Sequence, residues 1–178
     1  MAKMKPWTTA SFELLKHAEL HLNDGGDFDR RTALIGYDNA IENSITTYLS
    51  LHPSQREGLE LSKVNTEKWL ISYLTKLEFL EYYVTAILQE RMAIGRDEIL
   101  YFHRIRNEIY HGSPAHVPSL GDVSGIRAAA LWVFAILFKT DPEPLLAAEL
   151  AMSREVPAHE QIDQPGSRDK VLERWRGQ

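Results

Sequence analysis

The sequence predicts an all-α chain, a bundle of about five to six helices. Three observations carry this. Apolar residues recur at helical spacing in every long segment, as in Phe12, Leu15, Ala18 and Leu22. No segment sustains the apolar–polar alternation of a half-buried strand. No proline interrupts the stretch between Pro53 and Pro114, so long helices are allowed there.

Thr8 or Thr9 can cap a first helix that runs to about Asn23, with Trp7 tucked against it, and Asn23-Asp24-Gly25-Gly26 turns the chain. His17 and His21 in this helix have a spacing that suits a metal, but no third ligand lies nearby in sequence. They read as two solvated histidines on an outer face. A second helix spans about Phe28 to Leu51, with Leu34, Tyr37, Ile41, Ile45 and Tyr48 as its apolar face, and His52-Pro53 stops it. Its middle, Tyr37-Asp38-Asn39-Ala40-Ile41-Glu42-Asn43, is unusually polar. Asp38 and Glu42 either share a solvated face, repelling mildly at i, i+4, or reach across the bundle to orient an arginine.

Residues 53–64 are expected as a loop. A third helix then starts at Asn65 or Thr66 and carries Trp69, Leu70, Tyr73, Leu74, Leu77 and Leu80. It should break near Tyr83–Ala86, because a helix through Arg91 would far exceed the mean of about 11–12 residues. A helix over Asp97–His111 follows. Then a Pro/Ser loop, Ser113–Gly121, leads to a strongly apolar helix capped by Asp122 or Ser124 and ending at Lys139. Apolar on most sides, that helix is expected to be the central buried one or a dimer face, packed behind the Asp97–His111 helix. Pro142 and Pro144 frame a short helix over Leu145–Met152.

One domain over residues 1–152 is expected, followed by a linker or tail over 153–178 in which Asp169–Arg176 can form one or two helical turns. The 178 residues are 44% apolar, enough for one core, and contain no cysteine, which excludes disulfides and thiolate chemistry. The N-terminus lacks the apolar core of a secretory signal. The longest apolar run, around Ala128–Phe138, is too short to span a bilayer. A cytoplasmic protein with no membrane partner is the expectation. The net charge of −5 and pI near 5.8 are not the footprint of a general nucleic-acid binder. Arg91, Arg96, Arg104 and Arg106 nevertheless concentrate positive charge in one stretch.

That stretch ends in FHRIRNEIYHG, residues 102–112. Asp97 can cap its helix, Gly112 is placed to end it, and Ser113-Pro114 forbids continuation. At about 100° per residue, Phe102, Ile105 and Ile109 share one side, with Tyr101 at its edge. His103, Arg106, Asn107, Tyr110 and His111 share the other. Such residues near a helix C-terminus also satisfy orphan carbonyls and the negative end of the dipole.

Arg106, four residues, then His111, within the phrase RNEIYHG, resembles the Arg-x4-His signature of the HEPN superfamily. The Ala40-Ile41-Glu42 phrase is similar to one found on the second helix of that family. The resemblance implies a HEPN-like helical bundle and a metal-independent endoribonuclease, without cofactor, of the kind found among toxins and phage-defence effectors. It implies RNA as partner, a homodimer joined through the motif face, and an antitoxin or defence-system partner. Some toxins of the family carry a tyrosine two residues after the motif histidine, which a partner nucleotidyltransferase modifies. Ser113 stands there in this chain.

The residue types suit that chemistry. RNA cleaves itself when its 2′-hydroxyl loses a proton, the phosphorane charge is held, and the leaving 5′-oxygen gains a proton. Histidine, with an unperturbed pKa of about 6.5, serves as base or acid. Arginine is a permanently charged fork that grips two phosphate oxygens. Arg106 and His111 are therefore the candidate catalytic pair. Asn107 is placed to hold the phosphate or fix the His111 tautomer. Tyr110 and His103 are candidates for stacking a base or lining the groove, with Glu42 and Asp38 in support. The low isoelectric point favours the alternatives, a non-catalytic HEPN-like RNA- or nucleotide-binding module, or a helical adaptor.

Overall fold

The computed structural model describes residues 4–111 and 117–155, all helix, turn or loop, with no strand among them. The helices are α1 (Thr9–Asp24), α2 (Asp27–Ser50), α3 (Lys63–Trp69), α4 (Tyr73–Tyr82), α5 (Arg96–His111), α6 (Leu120–Phe138) and α7 (Glu143–Glu155). Short 3₁₀ turns cover Pro6–Thr8 and Pro53–Arg56, and a π turn covers Tyr83–Ile87. Gly112, Ser113, Pro114 and the tail with Asp169–Arg176 lie outside the described residues.

The helix α2 is the hub, packing against α1, α4, α5 and α6. The sequence pointed to α6 as the central buried helix or a dimer face, and α6 is the main partner of α2 after α1. Both are deeply buried, but α2 is longer, 24 residues against 19, and so reaches more neighbours. The α1–α2 hairpin closes on Gly25, whose φ of +77° suits glycine. Its helices meet so tightly that a Cβ on Gly36 would lie 2.9 Å from the Ala18 Cβ.

The third helix expected from the sequence is two. Ser72 caps α4 through a reciprocal pair with Thr75, and the Thr75 hydroxyl also donates to the Trp69 carbonyl at 3.0 Å. Periodicity runs straight through this corner, because both helices bury the same kind of face. The expected break near Tyr83–Ala86 is the π turn, closed by the Leu88 amide on the Tyr83 carbonyl.

The cap of α6 is Ser119 rather than Asp122 or Ser124; Asp122 is the return partner of the capping box, so the helix begins at Leu120. With that earlier start, α6 has 19 residues and is long and apolar enough to cross a membrane, unlike the shorter run counted from the sequence. Here it packs on α2 and α5, with nine of its residues buried. Its Gly125 receives the Phe102 ring of α5, and a Cβ there would come 2.4 Å from Phe102 Cζ. So the motif helix is seated on α6, as its apolar back predicts. The last helix, α7, runs to Glu155, so the expected boundary after residue 152 falls inside a helix.

Candidate functional site

The middle of α2 puts a carboxylate where the motif helix crosses it. Asp38 is wholly buried, so burial alone would strongly disfavour its charge. Three side chains converge on it. The Tyr73 hydroxyl of α4 donates to Oδ1 at 2.8 Å. His103 Nδ1 lies 3.0 Å from Oδ2 and 3.1 Å from Oδ1. Arg106 Nε lies 3.5 Å from Oδ2, close enough to pair the charges but long for a hydrogen bond. A carboxylate only accepts, so Nδ1 of His103 carries its proton towards Asp38. The Tyr73 ring stacks on the His103 ring, with centroids 3.7 Å apart and planes within 13°. Burial, then the Asp38 charge, holds the Tyr73 phenol well above its usual pKa, so it remains a donor.

The outer half of the Arg106 side chain faces another way. Its Nη1 donates to Asn107 Oδ1 at 3.1 Å, and its guanidinium carbon lies 4.5 Å from the centre of the Tyr110 ring. That places a cation over an aromatic face. The Arg106 side chain is 25% exposed and Tyr110 is 55% exposed. His111, the last residue of α5, is exposed, and its side chain makes no hydrogen bond with a described residue. It lies five positions after Arg106, which on a helix is about 140° around and roughly 7.5 Å along the axis. Arg106 and His103 thus form the buried edge of the polar arc, and His111 its outer edge.

The sequence-derived candidates divide accordingly. Asp38, His103, Arg106, Asn107 and Tyr110 are linked by contacts, and Asp38 is no part of a solvated face. Tyr73 covers one face of the His103 ring. Glu42 does not reach Arg106; it accepts from Lys76 of α4 at 2.9 Å. Tyr73 and Lys76 were missed, since both fit the apolar stripe of α4 as stems. The usable signal is their three-residue spacing, which matches the four-residue spacing of Asp38 and Glu42 across the interface. Of the four arginines near the motif, Arg96 pairs with Glu81 at 3.0 Å, and Arg91 and Arg104 are exposed.

The pair His17 and His21 does not form a site. His17 is exposed, whereas His21 Nδ1 lies 2.9 Å from Asp29 Oδ1 across the α1–α2 turn, with Asp24 nearby. The third donors that the sequence lacked come from the turn and from α2. As it stands, the group is a His–Asp pair beside an exposed carboxylate.

Compared with family models, with curated proteins and with solved structures, the chain matches none.

Proposed function

We propose that the chain is a HEPN-type, metal-independent endoribonuclease of the toxin or defence kind. The observation that supports this is the grip of buried Asp38 on the Nε side of Arg106. That charge pair sits behind the arginine, whose outer half lies against Asn107 and Tyr110 on the exposed arc of α5. A guanidinium held in this way is pre-organised for two phosphate oxygens and needs no rearrangement when charge develops.

In this reading His111 removes the proton of the 2′-hydroxyl, which then attacks the adjacent phosphorus. Arg106 holds the charge of the phosphorane, with Asn107 beside it. The P–O5′ bond breaks, the 5′-oxygen takes a proton, and the products are a 2′,3′-cyclic phosphate and a 5′-hydroxyl. One motif offers one histidine, yet the reaction needs both a base and an acid. A second copy facing the first across a two-fold axis supplies the other His111, so the active species is a homodimer sharing one groove.

The test is cleavage of total RNA in the presence of EDTA, followed by end-group analysis. Cyclic phosphate ends are expected, and an all-2′-deoxy substrate should not be cut. Undiminished cleavage of the deoxy substrate would sink the mechanism. Tight RNA binding with no cleavage in any condition would select the non-catalytic module.

A further inference from the structure

Away from the motif, the chain after α2 buries a second arginine. Arg56 closes the 3₁₀ turn Pro53–Arg56 and is only 7% exposed. Its Nε and Nη1 are sealed from solvent and bond to no described residue, and no described carboxylate pairs with the guanidinium. A guanidinium is costly to bury and is normally matched by an anion. Arg56 forms part of a recess lined by Lys5, Tyr48, Glu57, Tyr83 and Lys139.

The recess has the charge and shape of a receptor. Three cations, Arg56, Lys5 and Lys139, face one carboxylate, Glu57. Arg56 is the buried floor, whereas Lys139 and Glu57 are exposed at the mouth. Those two are both held in the left-handed region, at φ of +54° and +56°, where the α6 and 3₁₀ segments end. Burial and then the Tyr83 hydroxyl keep the Tyr48 phenol protonated far above its usual range, so it can donate but not repel an anion. The recess admits about one water-sized atom, some 10 Å³, and its empty space of about 220 Å³ includes open solvent at the mouth. A phosphate oxygen is of that size, so one oxygen enters while the rest of the tetrahedral group stays in the open mouth.

We infer that this recess binds a phosphate group, one oxygen on Arg56 and the others between Lys5 and Lys139. The excess of two positive charges in the lining matches a phosphate, which carries about −1.5 to −2 at neutral pH. The site is separate from Arg106 and does not depend on the ribonuclease reading.

The test is thermal unfolding of the full chain with inorganic phosphate, against sodium chloride at matched ionic strength. At about 20 mM phosphate, the wild type should gain a few degrees over the chloride control. Arg56→Met, which keeps the apolar stem, should gain nothing, and Arg56→Lys should gain less than the wild type. Arg106→Lys should keep the full response, which separates this site from the motif. The Arg56 Nε–Hε resonance should shift on titration with phosphate. Glycerol 3-phosphate in place of phosphate tells the two sources apart: a larger gain assigns the terminus of an ester, a smaller one the free ion. An equal gain for Arg56→Met and wild type, an equal gain with chloride, or an unmoved Arg56 resonance would each overturn the assignment.

Discussion

Two arginines flank the long helix α2, and their surroundings differ in one respect. Arg106 has a carboxylate of the protein itself, Asp38, at its back. Arg56 is more deeply buried and has no such partner among the described residues. An internal counter-charge leaves a guanidinium neutralised on one side and usable on the other, so the arginine is fixed in position without being consumed. A guanidinium without one among the described residues leaves a charge for a further anion to meet. The first arrangement suits an arginine that must hold a passing charge, the second one that retains an ion.

Changes at Asp38 should have the largest effect. Asp38→Ala leaves Arg106 and His103 around an uncompensated space, and should destabilise the fold by about 3–5 kcal/mol in urea titration. A loss below about 1 kcal/mol would mean that Asp38 contributes little net stability, and the contrast with Arg56 would fail.

Arg106→Lys separates structure from phosphate recognition. A lysine keeps a positive charge beside Asp38, so stability should stay within about 1 kcal/mol. It lacks the fork, so RNA cleavage should fall by on the order of 10²-fold, as it should for His111→Ala. If Arg106→Lys cleaves RNA like the wild type, Arg106 is only the counter-charge of Asp38.

Gly125→Ala tests whether the motif helix depends on its seat. The added Cβ meets the Phe102 ring at 2.4 Å, and the overpacking should cost about 1–3 kcal/mol. The displacement of α5 should lower cleavage as well, with the Arg56 recess unchanged in its phosphate response. Equal damage to both sites would show general loosening instead.

Tyr73→Phe removes one hydrogen bond to Asp38 and keeps the stack on His103, so about 1 kcal/mol is expected at neutral pH. It should also alter the alkaline limb. The folded-state pKa of Tyr73 is raised, so its stabilisation is complete below the unfolded value near 10. Above about pH 10 the unfolded chain binds fewer protons than the folded one, and stability falls as pH rises. Tyr73→Phe should make that fall shallower; an unchanged slope in chemical denaturation at pH 9–11 would contradict the burial of this phenol.

The smallest effect belongs to Glu42→Gln. Its ion pair with Lys76 is partly open to water, so the loss should be under about 1 kcal/mol. Because Glu42 does not touch Arg106, cleavage should be unchanged. A large drop would bring Glu42 back into the site.

Local rules made much of this molecule legible. Helical periodicity, Gly25 as a stop and the apolar back of α5 follow from residues within a few positions of one another. They predicted an all-α bundle with the FHRIRNEIYHG helix packed against α6. Local signals misled at the start of α6, where Asp122 or Ser124 was expected as the cap and Ser119 is, and where a serine cap at Ser72 interrupted an unbroken apolar stripe.

Tertiary structure alone decided what each polar side chain meets. Asp38 and Glu42 sit one turn apart on α2 and looked equivalent. Yet α5 crosses at Asp38, whereas Lys76 of α4 meets Glu42. His21 found Asp29 across a turn rather than His17 on its own helix. Arg56, in a segment read as a loop, became the buried floor of a recess because Lys5, Tyr83 and Lys139 come from three distant parts of the chain. The reason is physical: backbone periodicity is a short-range property, but the partner of a buried charge is whatever the packed helices bring within a few ångströms of it.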